Sequence, residues 1–270
     1  MLKARLKSML IDSHCHFDFE PFCLDPEHYL HQAHQAGIGQ LVIPAVGQRN
    51  WPALQALAAQ FDGIHYGLGL HPFFSAEHDD AAVEALAEAL ESESQLRMKK
   101  RSRCVAVGEC GLDFAIAAAD KAQQVALLKA QLILANKHGL PVILHCRKAF
   151  PELVQILRQN QPIAGGVLHA FCGSQPQAKQ LLDLGIKIGV GGTITYRRAN
   201  KTRNTIAALP LTALLLETDA PDMPVAGYQG QPNRPDRLVN ILHELASIRV
   251  ESEREIARVT TLTTAELFGI

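Results

Sequence analysis

Aromatic residues are scarce in this chain, at 6% with a single tryptophan, so its core must be mostly aliphatic. Neither sign of charge dominates. Lys and Arg number 26 against 27 Asp and Glu, a formal net charge of -1. That balance excludes a broad electrostatic footprint for nucleic acid and leaves any polyanionic substrate to a local basic patch or to metal ions. No apolar run approaches the roughly 20 residues of a membrane-spanning helix. The basic start, Met1 to Lys7, meets Asp12-Ser-His before a signal-peptide core can develop. The six cysteines (15, 23, 104, 110, 146 and 172) include no CxxC pair. Scattered thiols fit a reducing compartment better than a disulfide frame. These absences describe a soluble, cytoplasmic protein with no membrane segment and no obligate protein partner. No linker or low-complexity tract divides it, so residues 1–270 read as one domain, with Met1–Ser8 as a dispensable extension before a first strand at Met9.

What the chain does have is alternation. Short apolar runs recur near Met9–Ile11, Leu41–Ala45, His65–Leu70, Val105–Val107, Pro141–Leu144, Gly166–Leu168, Lys187–Val190 and Leu214–Leu216. Helix-period stretches separate most of them, as at Pro26–Ala36, Trp51–Gln60, Asp79–Met98 and Asp120–His138. Eight buried strands divided by helices predict parallel βαβ units. The competitor is an open doubly wound sheet, which normally carries a Gly-rich phosphate turn after its first strand. Here that strand runs into Asp12-Ser-His-Cys-His. Polar residues gather at the ends of six of the eight runs, and a single-domain TIM-type (β/α)8 barrel brings those ends to one face, where barrel active sites lie.

Twelve histidines are many for this length, and several follow apolar runs. His14 and His16 follow the first; two apart in extended backbone, they share a face while Cys15 turns away. Glu109 closes the fourth run between two near glycines, where an unpaired buried charge is costly. His145 closes the fifth, His169 the sixth and Asp219 the eighth. In a closed barrel the eighth strand lies beside the first, which puts Asp219 near His14 and His16. Four imidazoles and two carboxylates on one rim form a candidate site for divalent metal.

In these residues the sequence resembles the TatD-type metal-dependent hydrolases of the amidohydrolase superfamily. The matching stretches are Asp12-Ser-His-Cys-His-Phe-Asp18, Gly69-Leu-His-Pro72, Gly108-Glu-Cys-Gly-Leu-Asp113, Leu140-Pro-Val-Ile-Leu-His145, His169-Ala-Phe-Cys-Gly173 and Glu217-Thr-Asp-Ala-Pro221. They follow one another in order along nearly the whole chain. Ala220-Pro-Asp-Met-Pro224 and Gln229-Gly-Gln-Pro-Asn-Arg-Pro235 make the likeness strongest to the YjjV-type branch. The resemblance implies two metal ions, one on His14, His16 and Asp219 and one on His145 and His169, with Glu109 bridging. It implies that Asp219 orients a metal-activated water and accepts its proton. His-rich ligation suits Zn²⁺ or Mn²⁺ on softness grounds, whereas the family resemblance points to Mg²⁺ or Mn²⁺.

The resemblance implies a phosphodiesterase acting on nucleic-acid ends or small phosphodiesters. A small-molecule amidohydrolase or an aminoacyl-ester deacylase would use the same site, and a non-enzymatic barrel would be betrayed by a lost ligand, of which there is none. Departures from the family pattern fall on the substrate walls. Gln229-Gly-Gln-Pro-Asn233 replaces a basic segment, and Phe114-Ala-Ile-Ala-Ala-Ala119 lacks an aromatic-Trp-Ser pattern. Candidate substrate residues are His71, as a substrate contact, a support to a ligand or a capped turn; Arg147, which shares the face of His145; and Tyr196 and Arg198, a basic-aromatic patch with Arg197.

Overall fold

The computed structural model describes residues 10–117 and 120–270. The expected extension Met1–Ser8 and strand start at Met9 lie outside the described residues. Eight parallel strands form one sheet in sequence order: β1 (Leu10–Asp12), β2 (Ile38–Ile43), β3 (Ile64–Leu68), β4 (Cys104–Asp113), β5 (Val142–Arg147), β6 (Gly166–Leu168), β7 (Ile186–Val190) and β8 (Leu214–Leu216). The last strand closes on the first. Ser13 N donates to Leu216 O at 2.9 Å, Asp219 N donates to His14 O at 2.9 Å, and Cys15 bridges to Ala220. The sheet is therefore a barrel, as the order of the polar strand ends predicts.

Helices cover its outside: α1 (Pro26–Gln35), α2 (Trp51–Gln60), α3 (Asp80–Met98), α4 (Lys121–His138), α5 (Phe150–Gln159), α6 (Gln175–Leu182), α7 (Asn200–Ala208), α8 (Leu238–Ser247) and α9 (Glu253–Phe268). Their ends follow local chemistry. The Asp120 side chain accepts from Ala122 N and Gln123 N to start α4, and Gly139 ends it in the left-handed region at φ 61°. Leu128, Leu132 and Ala135 of that helix face the sheet and are fully buried. Inside the barrel, Val42, Ile143, Val167 and Leu215 form a separate aliphatic cluster. Ile143 and Val167 lie two residues before His145 and His169, so those histidines continue the same inward rows.

Two strands differ from expectation. β4 does not stop near Val107 but pairs with β5 as far as Asp113↔Arg147, and β5 itself runs past His145 to Arg147. A register shift between Val107 and Cys110 accommodates the change. Gly108, at φ 155°, makes it possible: its carbonyl accepts from Ala45 N at 3.1 Å, and Glu109 N donates to Ala45 O at 2.9 Å. Glu109 thus sits on a bulge inside the strand and not at its end. A cleft of about 1240 Å³ opens at the far end of the barrel between Gly39, Gly63 and Cys104, with Arg97, Arg101 and Arg103 around it. No described helix is long and apolar enough to cross a membrane.

Candidate metal centre

The six candidate ligands converge at the C-terminal ends of the strands. Glu109 is 1% exposed and lies at the centre. Its two oxygens divide the surrounding imidazoles. Oε2 faces His14 Nε2 at 3.3 Å and His16 Nε2 at 3.6 Å. Oε1 faces His169 Nε2 at 2.8 Å, His145 Nδ1 at 3.1 Å and His71 Nε2 at 3.1 Å. Asp219 closes the first group, with Oδ1 3.3 Å from His14 Nε2 and 3.8 Å from His16 Nε2. The same oxygen lies 3.9 Å from His169 Nδ1. Three triads, His14–His169–Asp219, His14–His16–Glu109 and His71–Glu109–His145, have donor atoms close enough to share an ion.

The third triad includes His71, and its hydrogen bonding argues against ligation. Phe73 N donates to His71 Nδ1 at 3.0 Å, so the neutral ring carries its proton on Nε2 and donates it to Glu109. His71 therefore orients the carboxylate and caps the turn that begins at Pro72. His145 shows the opposite arrangement. Its Nε2 faces Asp113 Oδ2 at 3.3 Å, which leaves the Nδ1 lone pair turned toward Glu109 and His169. A carboxylate behind an imidazole is the usual support for a metal-binding histidine.

Burial and crowding set the charges. Burial, with His169 close by, pushes His14 down to about 3, and burial pushes His16 down to about 4, so both rings are neutral and offer lone pairs. Burial also works against charge on Glu109, but His169, His71 and His14 outweigh it and hold the carboxyl well below the usual carboxylate range. Asp219 is pushed up to about 7 by burial. Two neutral imidazoles, 3.4 Å apart at their Nε2 atoms, thus aim at an anionic oxygen that accepts no hydrogen bond among the described residues. Converging lone pairs and a buried, unpartnered anionic oxygen fit a divalent cation.

Asp113 was not among the sequence candidates, nor were three further buried polar residues that shape the rim. Asp12 accepts from Thr218 N at 2.9 Å, from Thr218 Oγ1 at 2.6 Å and from His14 N at 3.3 Å, which ties both arms of the first ligand group together. Glu217 accepts from Ala170 N and fixes the turn after His169. Asn233 donates to Thr218 O at 2.8 Å and Met223 O at 3.1 Å, so the loop Gln229–Asn233 braces the Asp219 turn. For Asp12 and Glu217 the signal in the sequence was a polar residue two positions from a candidate ligand.

The candidate substrate residues lie on the same rim. Arg147 is exposed at the end of β5 and adds to the field that holds Asp113 low. Tyr196 is not free to bind through its hydroxyl, which donates to Pro224 O at 2.6 Å. Its ring instead carries the Arg198 guanidinium, 5.3 Å from the ring centre. Cys15 and Cys110 are fully buried in the core and stay apart from the ligand cluster.

The comparisons with known proteins agree with this geometry. The model of the TatD related DNase family matches residues 11–269. The chain is 45% identical over 260 residues to the uncharacterised metal-dependent hydrolase YjjV of Escherichia coli strain K12, covering 96% of this chain and 98% of that one. The crystal structure of the same relative superposes with a TM-score of 0.92 at 44% identity, over 98% of this chain and 99% of the other. A 3'-5' ssDNA/RNA exonuclease TatD of Klebsiella pneumoniae strain 342 is 33% identical over 256 residues, covering 92% and 94% of the two chains. Match length, barrel and clustered donors together place this chain in the TatD family of metal-dependent hydrolases.

Proposed function

We propose that the protein is a phosphodiesterase that hydrolyses the ends of single-stranded nucleic acid or short phosphodiester fragments, with two divalent metals at the rim. The observation that carries the reading is the Glu109 carboxylate, one oxygen toward His14 and His16 and the other toward His145 and His169. That is the arrangement a bridging ligand needs. His14, His16 and Asp219 would hold one ion, and His145 and His169 the other. Bound there, the ions would supply Lewis acidity at the scissile ester and acidify an attacking water. Asp219, whose Oδ1 faces His14 and His16, takes the water's proton. His71 and Asp113 hold Glu109 and His145 in place, and Arg147 and Arg198 attract the substrate phosphate. The similarity to the 3'-5' ssDNA/RNA exonuclease TatD of Klebsiella pneumoniae supports a nucleic-acid substrate.

The test is a screen of the protein, reconstituted with Mn²⁺, Zn²⁺ or Mg²⁺, against oligonucleotides, carboxylic esters and amides. Oligonucleotide cleavage should dominate under at least one metal. Ester or amide hydrolysis that exceeds it under all three would replace the phosphodiesterase with a deacylase or amidohydrolase.

A further inference from the structure

Beside the polar cluster, the mouth of the barrel carries an aromatic wall. Phe19 follows β1, and Phe73 and Phe74 follow β3, so all three stand at the end of the strands where the ligands converge. Phe19 stacks on His16 with ring centres 5.1 Å apart and planes 15° from parallel. Phe74 meets His71 edge-on at 6.2 Å and Phe73 at 5.0 Å. In a chain poor in aromatics, Phe73 is nevertheless 57% exposed. Its placement is fixed. Phe73 N donates to His71 Nδ1, and the other nitrogen of that ring reaches Glu109. Arg49 lies 4.3 Å over the centre of the Phe74 ring and is itself held by Glu77 at 3.1 Å.

An exposed phenyl ring gains free energy when a planar group covers it, and every nucleobase offers a face for that contact. We infer that Phe73, backed by Phe74 and Arg49, forms a stacking subsite for the nucleobase adjoining the scissile phosphodiester. The inference rests on the phosphodiesterase reading and narrows it to unpaired bases. A base inside a duplex has both faces covered by its neighbours. Stacking ignores base identity, so purines and pyrimidines should bind alike.

The test measures equilibrium binding to the metal-loaded protein, which keeps it separate from cleavage. The ligands are three non-hydrolysable trinucleotide analogues: one complete, one abasic at the 3' residue and one abasic at the 5' residue. The wild type should bind the complete ligand about tenfold more tightly than one of the abasic forms. Phe73→Ala should erase that preference while leaving its melting temperature and its affinity for the abasic ligand near wild type. Phe73→Trp should keep the preference. Equal affinity for all three ligands, absence of binding to any of them, or an undiminished preference in Phe73→Ala overturns the subsite. A base preference lost in Phe73→Ala, in a protein that cleaves only carboxylic esters, would instead refute the phosphodiesterase reading and overturn the placement beside a scissile phosphodiester, leaving Phe73 as a base-stacking surface alone.

Discussion

At the scale of single residues, the site is organised by which nitrogen or oxygen faces inward. Glu109 is the test of that. Glu109→Gln keeps the shape and the two-sided placement but removes the charge that a bridge requires. Turnover should fall by roughly a thousandfold or more, with a melting temperature close to wild type. Near-normal turnover at saturating Mn²⁺ would show that Glu109 does not bridge. Asp113 acts one step further out, through the His145 Nε2 proton. Asp113→Asn should weaken metal binding about 10- to 100-fold, and excess metal should restore turnover. Calorimetric metal titration against the wild type checks this, and unchanged affinity would make Asp113 a structural acid only. The six candidate ligands were legible in the sequence because each follows an apolar run. Asp113 was not, because its role depends on the second nitrogen of a histidine 32 residues away on the neighbouring strand. Its trace was parity alone: four residues beyond Glu109 in one strand, it falls on the same face.

At the scale of elements, the most informative departure is β4. Its apolar run gives out at Val107, and glycines with acids then hide the strand pattern, so the sequence marks only the first part of it. The pairing continues because Gly108 and Gly111 take backbone angles that other residues avoid. Gly111 lies at φ 148°, and a Cβ there would stand 2.0 Å from His145 O and 2.9 Å from His145 N. Gly111→Ala should therefore destabilise the fold by about 3 kcal/mol or more, because neither backbone can yield without breaking the β4–β5 ladder. It should also weaken metal binding, since His145 must move. Urea unfolding of the metal-free protein, followed by metal titration, separates the two effects. A change below about 1 kcal/mol would mean that the bulge relaxes freely. The helices and the remaining strands were readable within a few residues because their cues are local: Asp120 and Gly139 bound α4, and short continuous apolar runs mark the strands.

At the scale of the whole molecule, closure does what no segment could. It joins Asp219, near the end of the chain, to His14 through the Asp219 N to His14 O hydrogen bond. The overall charge of -1 then matters as much as the site. A protein with no net attraction for a polyanion must capture it by the few cations on the rim, and Arg147 and Arg198 are among the exposed ones there. Each phosphate neutralised on a single strand contributes about -0.7 to the slope of log affinity against log salt. Binding of a short single-stranded oligonucleotide should therefore show a slope between about -1.4 and -2.1, for two or three contacts. Arg147→Ala should remove about 0.7 of it, leave metal content unchanged and raise KM for a phosphodiester most at low salt, where capture is least screened. A slope steeper than about -4 would mean that an extended cationic surface takes part. The candidate would then be the rim of the opposite cleft, where Arg97, Arg101 and Arg103 gather. A slope untouched by Arg147→Ala would remove that arginine from substrate capture.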